Sequence, residues 1–407
     1  MVCREFHRKP APYTFRFWAG RDARRYTESV TDTDGAGAPS SERERRQEVV
    51  TRLLAWYGGA QRDLPWRRTH DPYAIWVSEM MLQQTQVATV IPYWQRWMER
   101  FPTVASLAEA PLDDVLQAWQ GLGYYARARN MHRAAQVIRD LHGGIFPHIY
   151  EDVLALPGIG RYTAGAICSI AYGQDVPLVD ANVIRILCRI FGVHGDPKST
   201  AVQAELWELA ESLIPAGQAR EFNQAMMELG ALVCESRPKC GVCPMQDLCA
   251  AYASGDPTSL PEFAPRPVFT SQTDVSAILH HPSGDGRVLL VRRPAEGLWG
   301  GLWETPRITA EPDEPVPAAA ERAAWEAAGI RVHATGEIAA SLKHGVTTRK
   351  ITLIGAVCKP TGVPESPPPT ERAWAATEEL GTRYPLSSPQ AKLLQRILAK
   401  ESQLSLF

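Results

Sequence analysis

The sequence lacks the features of membrane, secreted and strongly cationic proteins. No apolar run reaches the roughly 18 residues that a membrane-spanning helix needs, and no secretory signal opens the chain. Its 43 lysine and arginine residues are balanced by 45 aspartate and glutamate residues, which leaves no excess of positive charge for nonspecific binding to nucleic acid. Any contact with DNA must therefore be local and geometric. We expect a monomeric cytoplasmic protein that makes no contact with membranes.

Cysteine is sparse except in one short segment. The chain has eight cysteines, of which four are scattered and four fall within residues 234–249. Scattered thiols in a chain without a signal peptide indicate a reducing cytoplasm, where clustered cysteines usually hold a metal. Their spacing, Cys-x5-Cys-x2-Cys-x5-Cys, suits either a four-iron, four-sulfur (4Fe-4S) cluster or a tetrahedral zinc ion, and it favours the cluster without excluding zinc. The four clustered residues are Cys234, Cys240, Cys243 and Cys249.

Composition and periodicity divide the chain into domains. A length of 407 residues corresponds to about two to four domains at roughly 100–200 residues each. From about residue 48 to residue 253 the apolar residues recur at helical spacing, and a segment with four prolines follows before strand-like patterns begin. We therefore expect a disordered extension over 1–45, an all-α domain over 46–254, a proline-rich linker over 255–272, an α+β domain over 273–400 and a tail over 401–407.

The same patterns predict individual elements. Asp71 followed by Pro72 has the signature of a helix N-cap and first turn. In the second domain, residues 275–280 and 287–292 flank the sequence Pro-Ser-Gly-Asp-Gly, which predicts a β-hairpin. We also expect a helix near 318–328 and strands near 331–341 and 350–357. Further helices are predicted over 86–100, 112–120, 126–142, 151–156, 161–172, 181–191, 201–213 and 220–233.

A turn between two of these helices is rich in glycine. Residues 156–165 read Leu-Pro-Gly-Ile-Gly-Arg-Tyr-Thr-Ala-Gly, and Gly158 and Gly160 permit a close approach of the backbone to a ligand. The helix that follows presents free N–H groups, so the turn can hold one DNA phosphate without reading base sequence. The pattern matches a helix-hairpin-helix turn, although a purely structural turn remains the alternative.

Two carboxylates are candidates for acid–base chemistry. Glu79 lies within the apolar run 75–82, where desolvation would raise its pKa and make it a general acid near pH 7, unless it faces solvent. Asp180 follows the apolar residues 176–179 and precedes a helix, so it is a candidate catalytic group, an N-cap, or both. Two carboxylates that flank a glycosidic bond can cleave it through an oxocarbenium-like transition state.

Together these segments resemble the MutY-type adenine DNA glycosylases of the helix-hairpin-helix superfamily, from about Glu48 to the C-terminus. The resemblance implies a 4Fe-4S cluster, although the family usually has six residues between the first two cysteines and this chain has five. It also implies that the partner is double-stranded DNA of the bacterial nucleoid, with adenine mispaired with 8-oxoguanine or guanine. The motifs are Pro65-Trp66-Arg67, residues 77–87, residues 121–127, residues 156–165, residues 179–183 and Phe222-Asn223-Gln224-Ala225.

The resemblance implies catalytic roles for three residues. Glu79 would protonate N7 of the flipped adenine, and Asp180 would stabilise the sugar cation, electrostatically or through a transient covalent bond. Tyr162 stands where lyases similar to endonuclease III carry a lysine that forms a Schiff base. We therefore expect a monofunctional glycosylase that leaves an abasic site. The alternatives are a bifunctional glycosylase and lyase, or a non-catalytic iron–sulfur protein that binds damaged DNA.

The resemblance also implies residues that contact DNA. Gln83 and Tyr124 would be wedge residues that fill the duplex when the adenine leaves it, although both could instead pack within the protein. The further candidates are Trp66, Arg67 and Gln224, which would line the adenine pocket, and Gln84, Gly158 and Gly160.

The second domain resembles the Nudix hydrolase fold through residues 287–293 and 298–304. In the corresponding Nudix helix, residues 322–330, two of the three magnesium-binding glutamates are replaced by alanine, so we expect lesion recognition and no pyrophosphatase activity. The family's Phe-Ser-His recognition loop corresponds to Val346-Thr347-Thr348 or, in an alternative register, to Leu342-Lys343-His344.

The chain ends with an apolar peptide. Residues Gln403 to Phe407 read Gln-Leu-Ser-Leu-Phe, which matches the peptide that docks bacterial proteins onto the replication sliding clamp. We expect this clamp as a partner, and a fraying helix end is the alternative.

Overall fold

The computed structural model describes residues 40–265, 268–361 and 370–404. Its contacts divide the chain into residues 1–45 and 46–407. Most of the extension predicted to be disordered lies outside the described residues. The first helix begins at Ser40, so it overlaps the end of the extension predicted to be disordered.

The first half of the described chain is helical, as predicted. Each apolar-periodic segment forms a helix whose bounds lie within two residues of the predicted ones. The helices are α1 (Ser40–Ala60), α2 (Pro72–Leu82), α3 (Val87–Arg100), α4 (Val104–Glu109), α5 (Leu112–Ala118), α6 (Ala126–Leu141), α7 (Tyr150–Leu154), α8 (Arg161–Tyr172), α9 (Ala181–Phe191), α10 (Thr200–Ser212), α11 (Ala219–Leu232) and α12 (Ala250–Ala253). Short 3-10 helices cover Pro65–Arg68, Cys240–Val242 and Gln246–Leu248.

Helix α2 lies at the centre of this domain. Asp71 caps its N-terminus by accepting a hydrogen bond of 3.0 Å from the Tyr73 backbone N–H. All residues from Tyr73 to Met81 are buried, because Trp76 packs into one apolar cluster of the domain and Ile75 into the other. A polar side chain on this helix therefore has little access to water.

The described residues of the second domain form two sheets, two α-helices and a short 3-10 helix over Thr377–Glu379. A four-stranded sheet has the order β4-β1-β6-β5, and a three-stranded sheet has the order β3-β2-β7. Strands β1 and β6 are parallel, and the other pairs are antiparallel. The elements are β1 (Thr270–Leu279), β2 (Val288–Arg292), β3 (Trp303–Glu304), β4 (Arg307–Thr309), α13 (Val316–Ala328), β5 (Val332–Val346), β6 (Arg349–Pro360), β7 (Arg372–Ala375) and α14 (Ser388–Leu404).

The predicted β-hairpin pairs next to its turn, but its two strands then enter different sheets, so the predicted pairing along their length is wrong. His280 and Val288 form an isolated antiparallel bridge, and the His281 N–H donates a hydrogen bond of 2.8 Å to the Arg287 carbonyl. Both strands are buried along most of their length, because helices and the other sheet cover them. Strand β1 also begins inside the predicted linker, at Thr270.

The two domains contact each other through α5 and α6. The Tyr125 hydroxyl, next to α6, donates a hydrogen bond of 3.1 Å to the Leu386 carbonyl, and Arg129 donates one of 2.5 Å to the Gly300 carbonyl.

Among the described residues, none of the helices has the length and apolar character needed to span a lipid bilayer.

Candidate active site

Glu79 is buried in the last turn of α2. Its exposed fraction is 4%, so it does not lie on a solvated helix face. The Tyr162 hydroxyl donates a hydrogen bond of 2.5 Å to Glu79 Oε2. The pKa of Glu79 is raised to about 7, because burial and the nearby charge of Asp180 raise it by more than the hydrogen bond from Tyr162 lowers it. About half of the Glu79 carboxyl groups are therefore neutral and able to donate a proton at pH 7.

Tyr162 reaches Glu79 from the first turn of α8. This helix follows α7 and the glycine turn, which together form the predicted helix-hairpin-helix. Gly158 has φ +78°, and a Cβ atom there would lie 2.4 Å from Asn130 Cβ, whereas Gly160 has open space around its Cα. Gly160 is the N-cap of α8 and has no side chain to cap it. The turn therefore leaves the N-terminal N–H groups of α8 open to an anion.

Asp180 is the N-cap of α9, which was predicted as one role of this residue beside a catalytic one. Its Oδ1 accepts a hydrogen bond of 2.8 Å from the Val183 N–H, and its Oδ2 accepts one of 2.8 Å from the Asn182 side-chain amide. Burial raises the pKa of Asp180, and these hydrogen bonds partly offset the rise. Since its charge also raises the pKa of Glu79 and of Tyr162, the three side chains form one electrostatic cluster.

A buried ion pair that the sequence analysis missed holds Arg67. Glu228 on α11 has no exposed side-chain surface, and it accepts a hydrogen bond of 2.7 Å from Arg67. Arg62 donates three more, two of 2.8 Å from its side chain and one of 2.9 Å from its backbone N–H. Burial would raise the pKa of Glu228, but the hydrogen bonds from the two arginines lower it to about 2. Arg67 is thereby fixed close enough to Glu79 to lower its pKa slightly.

The two predicted wedge residues lie on loops at the ends of helices. Gln83 follows α2 within residues 83–85, here called the glutamine loop, and its amide lies 3.4 Å from Thr163 Oγ1. Tyr124 ends residues 121–124, here called the tyrosine loop, and 56% of its side-chain surface is exposed. A buried core position is therefore excluded for Tyr124. Gln84, next to Gln83, is exposed.

Other predicted site residues lie outside this cluster. Trp66 is buried and packs edge to face on Trp94, with ring centroids 6.0 Å apart. The Gln224 amide donates to the Arg220 carbonyl at 3.3 Å. In the second domain, Val346 ends β5, and Thr347 and Thr348 form the turn to β6. The alternative register, Leu342-Lys343-His344, lies within β5.

The four clustered cysteines line one small cavity next to α9. Burial raises the pKa of Cys243 to about 11, and the other three cysteines raise it further, which places the four thiols near one another. Buried Arg189 donates to Cys234 Sγ at 3.4 Å, and a cation there would stabilise thiolate ligands. The four cysteine side chains fit an iron–sulfur cluster, which requires thiolate ligands. Among the described residues, no group of three or more His, Cys, Asp or Glu side chains is placed to hold a single metal ion.

Comparison with known proteins agrees with this geometry. Residues 77–212 match the model of the HhH-GPD superfamily of base excision DNA repair proteins, residues 236–249 match the iron–sulfur binding domain of endonuclease III, and residues 277–396 match the NUDIX domain. The adenine DNA glycosylase of Schizosaccharomyces pombe is 34% identical to this chain, in an alignment that covers 63% of this chain and 68% of that protein. This chain belongs to the adenine DNA glycosylase family. Its cofactor is a 4Fe-4S cluster.

Two further relatives define how far the similarity extends. The adenine DNA glycosylase of Homo sapiens is 41% identical to this chain, in an alignment that covers 64% of this chain and 58% of the human protein. The chain thus spans about three fifths of the length of the mammalian adenine DNA glycosylases that it matches. A solved structure of a thermostable thymine-DNA glycosylase is 32% identical to this chain, with a TM-score of 0.50. The match covers 53% of this chain and 100% of the thymine-DNA glycosylase chain.

Proposed function

We propose that this protein removes adenine mispaired with 8-oxoguanine or guanine from double-stranded DNA and leaves an abasic site. The observation that carries the proposal is the buried Glu79, whose pKa is raised to about 7 by burial, beside a second carboxylate, Asp180. An acid and an anion in one site are the groups that N-glycosidic bond cleavage needs. The adenine DNA glycosylase relatives support the choice of base.

The reaction follows from the chemistry of these two groups. Glu79 gives its proton to N7 of the flipped adenine, so the bond between C1′ and N9 breaks and its electron pair leaves with neutral adenine. The ionised Asp180 stabilises the cation that develops on the sugar, or bonds to C1′ transiently. Water then adds its oxygen to C1′, any bond from C1′ to Asp180 breaks with its electron pair returning to the carboxylate, and the proton that water releases restores Glu79 and leaves the abasic site.

We propose that the enzyme has no strong strand-nicking step. Lyase activity requires an amine that forms a Schiff base with C1′ of the sugar. Tyr162 has no amine, and its hydroxyl is engaged with Glu79. Burial raises its pKa well above the usual value, so the phenol stays neutral and cannot replace a lysine as nucleophile.

We propose a division of DNA contacts between the two domains. The glycine turn, with Gly158 and Gly160, binds one phosphate at the N-terminus of α8. Gln83 and Tyr124 enter the duplex as wedges, and Gln84 contacts it beside them. The adenine pocket is lined by Trp66, Arg67 and Gln224, and the turn formed by Val346, Thr347 and Thr348 reads the 8-oxoguanine strand.

The test is single-turnover release of adenine from a duplex with an adenine and 8-oxoguanine mispair. We expect the unaltered protein to release adenine and Glu79→Gln to lose at least about a hundredfold in rate, with strand breaks only after alkali. A duplex with thymine opposite guanine serves as control, because a solved relative is a thymine glycosylase. Breaks without alkali would instead identify a lyase, and tight binding of the mispair without base release would identify a damage-binding protein.

We further propose that the protein acts on the bacterial nucleoid, as a monomer, and docks on the replication sliding clamp. The proposed peptide spans residues 403–407, of which 405–407 lie outside the described residues. The preceding helix α14 ends at Leu404. A clamp pull-down with the full chain and with a chain lacking residues 403–407 tests the partner, and equal capture of both chains would end the proposal.

A further inference from the structure

One arginine contacts both loops that carry the wedge residues. Arg127 lies in the first turn of α6, and 7% of its surface is exposed. Its partners are backbone carbonyls on both loops and on the end of α2. Nη1 donates to the carbonyls of Met80 at 2.7 Å, Met81 at 3.0 Å and Gln83 at 2.6 Å, and Nη2 donates to those of Leu122 at 3.3 Å and Gly123 at 3.1 Å.

The three hydrogen bonds from Arg127 Nη1 cap the C-terminal end of helix α2. The last carbonyls of a helix have no partners within it and carry partial negative charge, so a cation placed there is stabilising. Arg127 supplies this cation one turn beyond Glu79 on α2. Burial lowers the pKa of Arg127 to about 10, which still leaves the guanidinium charged at neutral pH.

Both loops hold a residue in a backbone conformation that its neighbours must enforce. Gln84 in the glutamine loop has φ +59°, and Tyr124 in the tyrosine loop has φ +48°. Non-glycine residues in this left-handed region cost about 1–3 kcal/mol, and they persist where surrounding contacts determine the backbone. Arg127 makes such contacts on each loop, and its guanidinium also lies 5.8 Å from the Tyr124 ring centroid.

We propose that Arg127 is a positioning residue that fixes the glutamine and tyrosine loops to each other and to the end of the helix bearing Glu79, so that both wedges enter the duplex as one rigid unit. The inference rests on the proposed function. It adds that Gln83 and Tyr124 are coupled, although they lie 41 positions apart in the sequence, and that the coupling passes through one planar side chain.

The planar fork of arginine is what the arrangement requires. Its two terminal nitrogens serve different loops, and the five carbonyls surround the group from both sides. A lysine ammonium is a single point charge with three donors, so it can cap α2 or hold the tyrosine loop, but it cannot hold both. Arg127→Lys therefore keeps the charge and removes the bridge.

The experiment measures unstacking and base release separately. Duplexes carry 2-aminopurine beside the mispaired adenine, so its fluorescence rises when the wedges open the stack, and adenine release is followed on the same samples. We expect Arg127→Lys and Arg127→Met to reduce the fluorescence amplitude and the single-turnover rate by about tenfold or more. Binding to undamaged duplex should change by less than about twofold, since phosphate contacts supply nonspecific affinity.

A matched control lies two residues further along the same helix. Arg129→Met removes a half-buried hydrogen bond to a carbonyl of the second domain but touches neither loop, so its fluorescence amplitude should equal that of the unaltered protein. Visible absorption of the cluster and circular dichroism identify the folded fraction of each variant. If Arg127→Met does not fold, Arg127→Lys alone decides the result.

A double-mutant cycle tests the coupling itself. In the unaltered background the losses from Gln83→Ala and Tyr124→Ala should be non-additive, and with Arg127→Lys they should become additive. Folded Arg127→Lys with normal amplitude, or an unchanged coupling in the cycle, would overturn the inference. Absence of adenine release by the unaltered protein would instead contradict the proposed function, so the two failures are distinguishable.

Discussion

The Tyr162 hydroxyl lies 2.5 Å from Glu79 Oε2, and it donates the hydrogen bond. Tyr162, the residue proposed to stand in place of a lyase lysine, thus engages the carboxyl group of the proposed acid. The hydrogen bond favours the ionised form of Glu79 and lowers its pKa, while burial raises the pKa by more. The balance between these two effects sets the pH range in which Glu79 holds a proton.

The pH dependence of adenine release should follow the protonation of Glu79. Because the folded pKa is about 7 and the protonated form is the donor, the single-turnover rate should be high below pH 7. It should fall about tenfold per unit of pH well above the pKa. The measurement is the rate between pH 5.5 and pH 9. A rate that stays flat across this range would contradict a role for Glu79 as acid.

Tyr162→Phe should move that descending limb to higher pH. The variant removes a hydrogen bond that lowers the pKa of Glu79, so the carboxyl group keeps its proton in more alkaline solution. Tyr172→Phe is the matched control, because it removes a hydroxyl on the same helix that donates to the Phe146 carbonyl at 3.0 Å. The control should leave the limb in place. If the fall in rate moved to lower pH in Tyr162→Phe, the Tyr162 hydroxyl would accept a proton from Glu79 in the hydrogen bond and would not donate one.

Glu228→Gln should destabilise the protein. The substitution leaves Arg62 and Arg67 beside a neutral amide, and charged hydrogen bonds contribute about 1.5–3 kcal/mol each where they are buried. Because a third of Arg62 is exposed, we expect a total loss of about 2 kcal/mol in the free energy of unfolding. Urea denaturation at neutral pH measures it. Asp63→Asn, which breaks an exposed pair with Arg68, should leave the free energy of unfolding nearly unchanged, because solvent screens exposed ion pairs.

Much of the helical domain could be predicted because its signals are local. Asp71 and Pro72 predict the start of α2, and apolar residues at helical spacing predict each following helix. The pairing between Arg67 and Glu228 joins residues 161 positions apart, and no local pattern indicates it. The position of Glu79 also needed the structure, since an apolar run with one carboxylate fits both a buried and a solvated face.

The failure of the hairpin prediction has a similar cause. Residues 275–280 and 287–292 have strand-like sequences and a turn between them, and both do form strands. The partner of each strand is chosen by burial against α13 and α14, which lie far along the chain. Strand β1 therefore pairs with β6 and β4, and β2 pairs with β3 and β7.

Arg189→Met should make the cluster more labile. Arg189 is buried, lies 3.4 Å from Cys234 Sγ, and donates to the carbonyls of Glu235 at 2.6 Å and Leu260 at 2.9 Å. Its loss removes positive charge next to a thiolate and frees the loop that carries it, so iron should be released faster. Iron content over time in air measures this. Lys239→Met, an exposed residue of the same loop, should release iron at the unaltered rate.

Substitutions at the two glycines of the helix-hairpin-helix turn should separate stability from DNA binding. Gly158→Ala forces alanine to adopt φ +78° and brings its Cβ within 2.4 Å of Asn130 Cβ. The left-handed backbone alone costs about 1–2 kcal/mol, so both the free energy of unfolding and the affinity for DNA should fall. Gly160→Ala adds a methyl group to open space at the N-terminus of α8, where the phosphate is proposed to lie.

Gly160→Ala should therefore weaken DNA binding about as much as loss of one phosphate contact, while its stability stays within about 0.5 kcal/mol of the unaltered protein. Thermal denaturation and the affinity for duplex DNA at two salt concentrations measure the two effects. The salt dependence should also decrease in Gly160→Ala, because fewer counterions are released when a phosphate contact is lost. Unchanged affinity and salt dependence in a stable Gly160→Ala would show that the turn is structural and holds no phosphate.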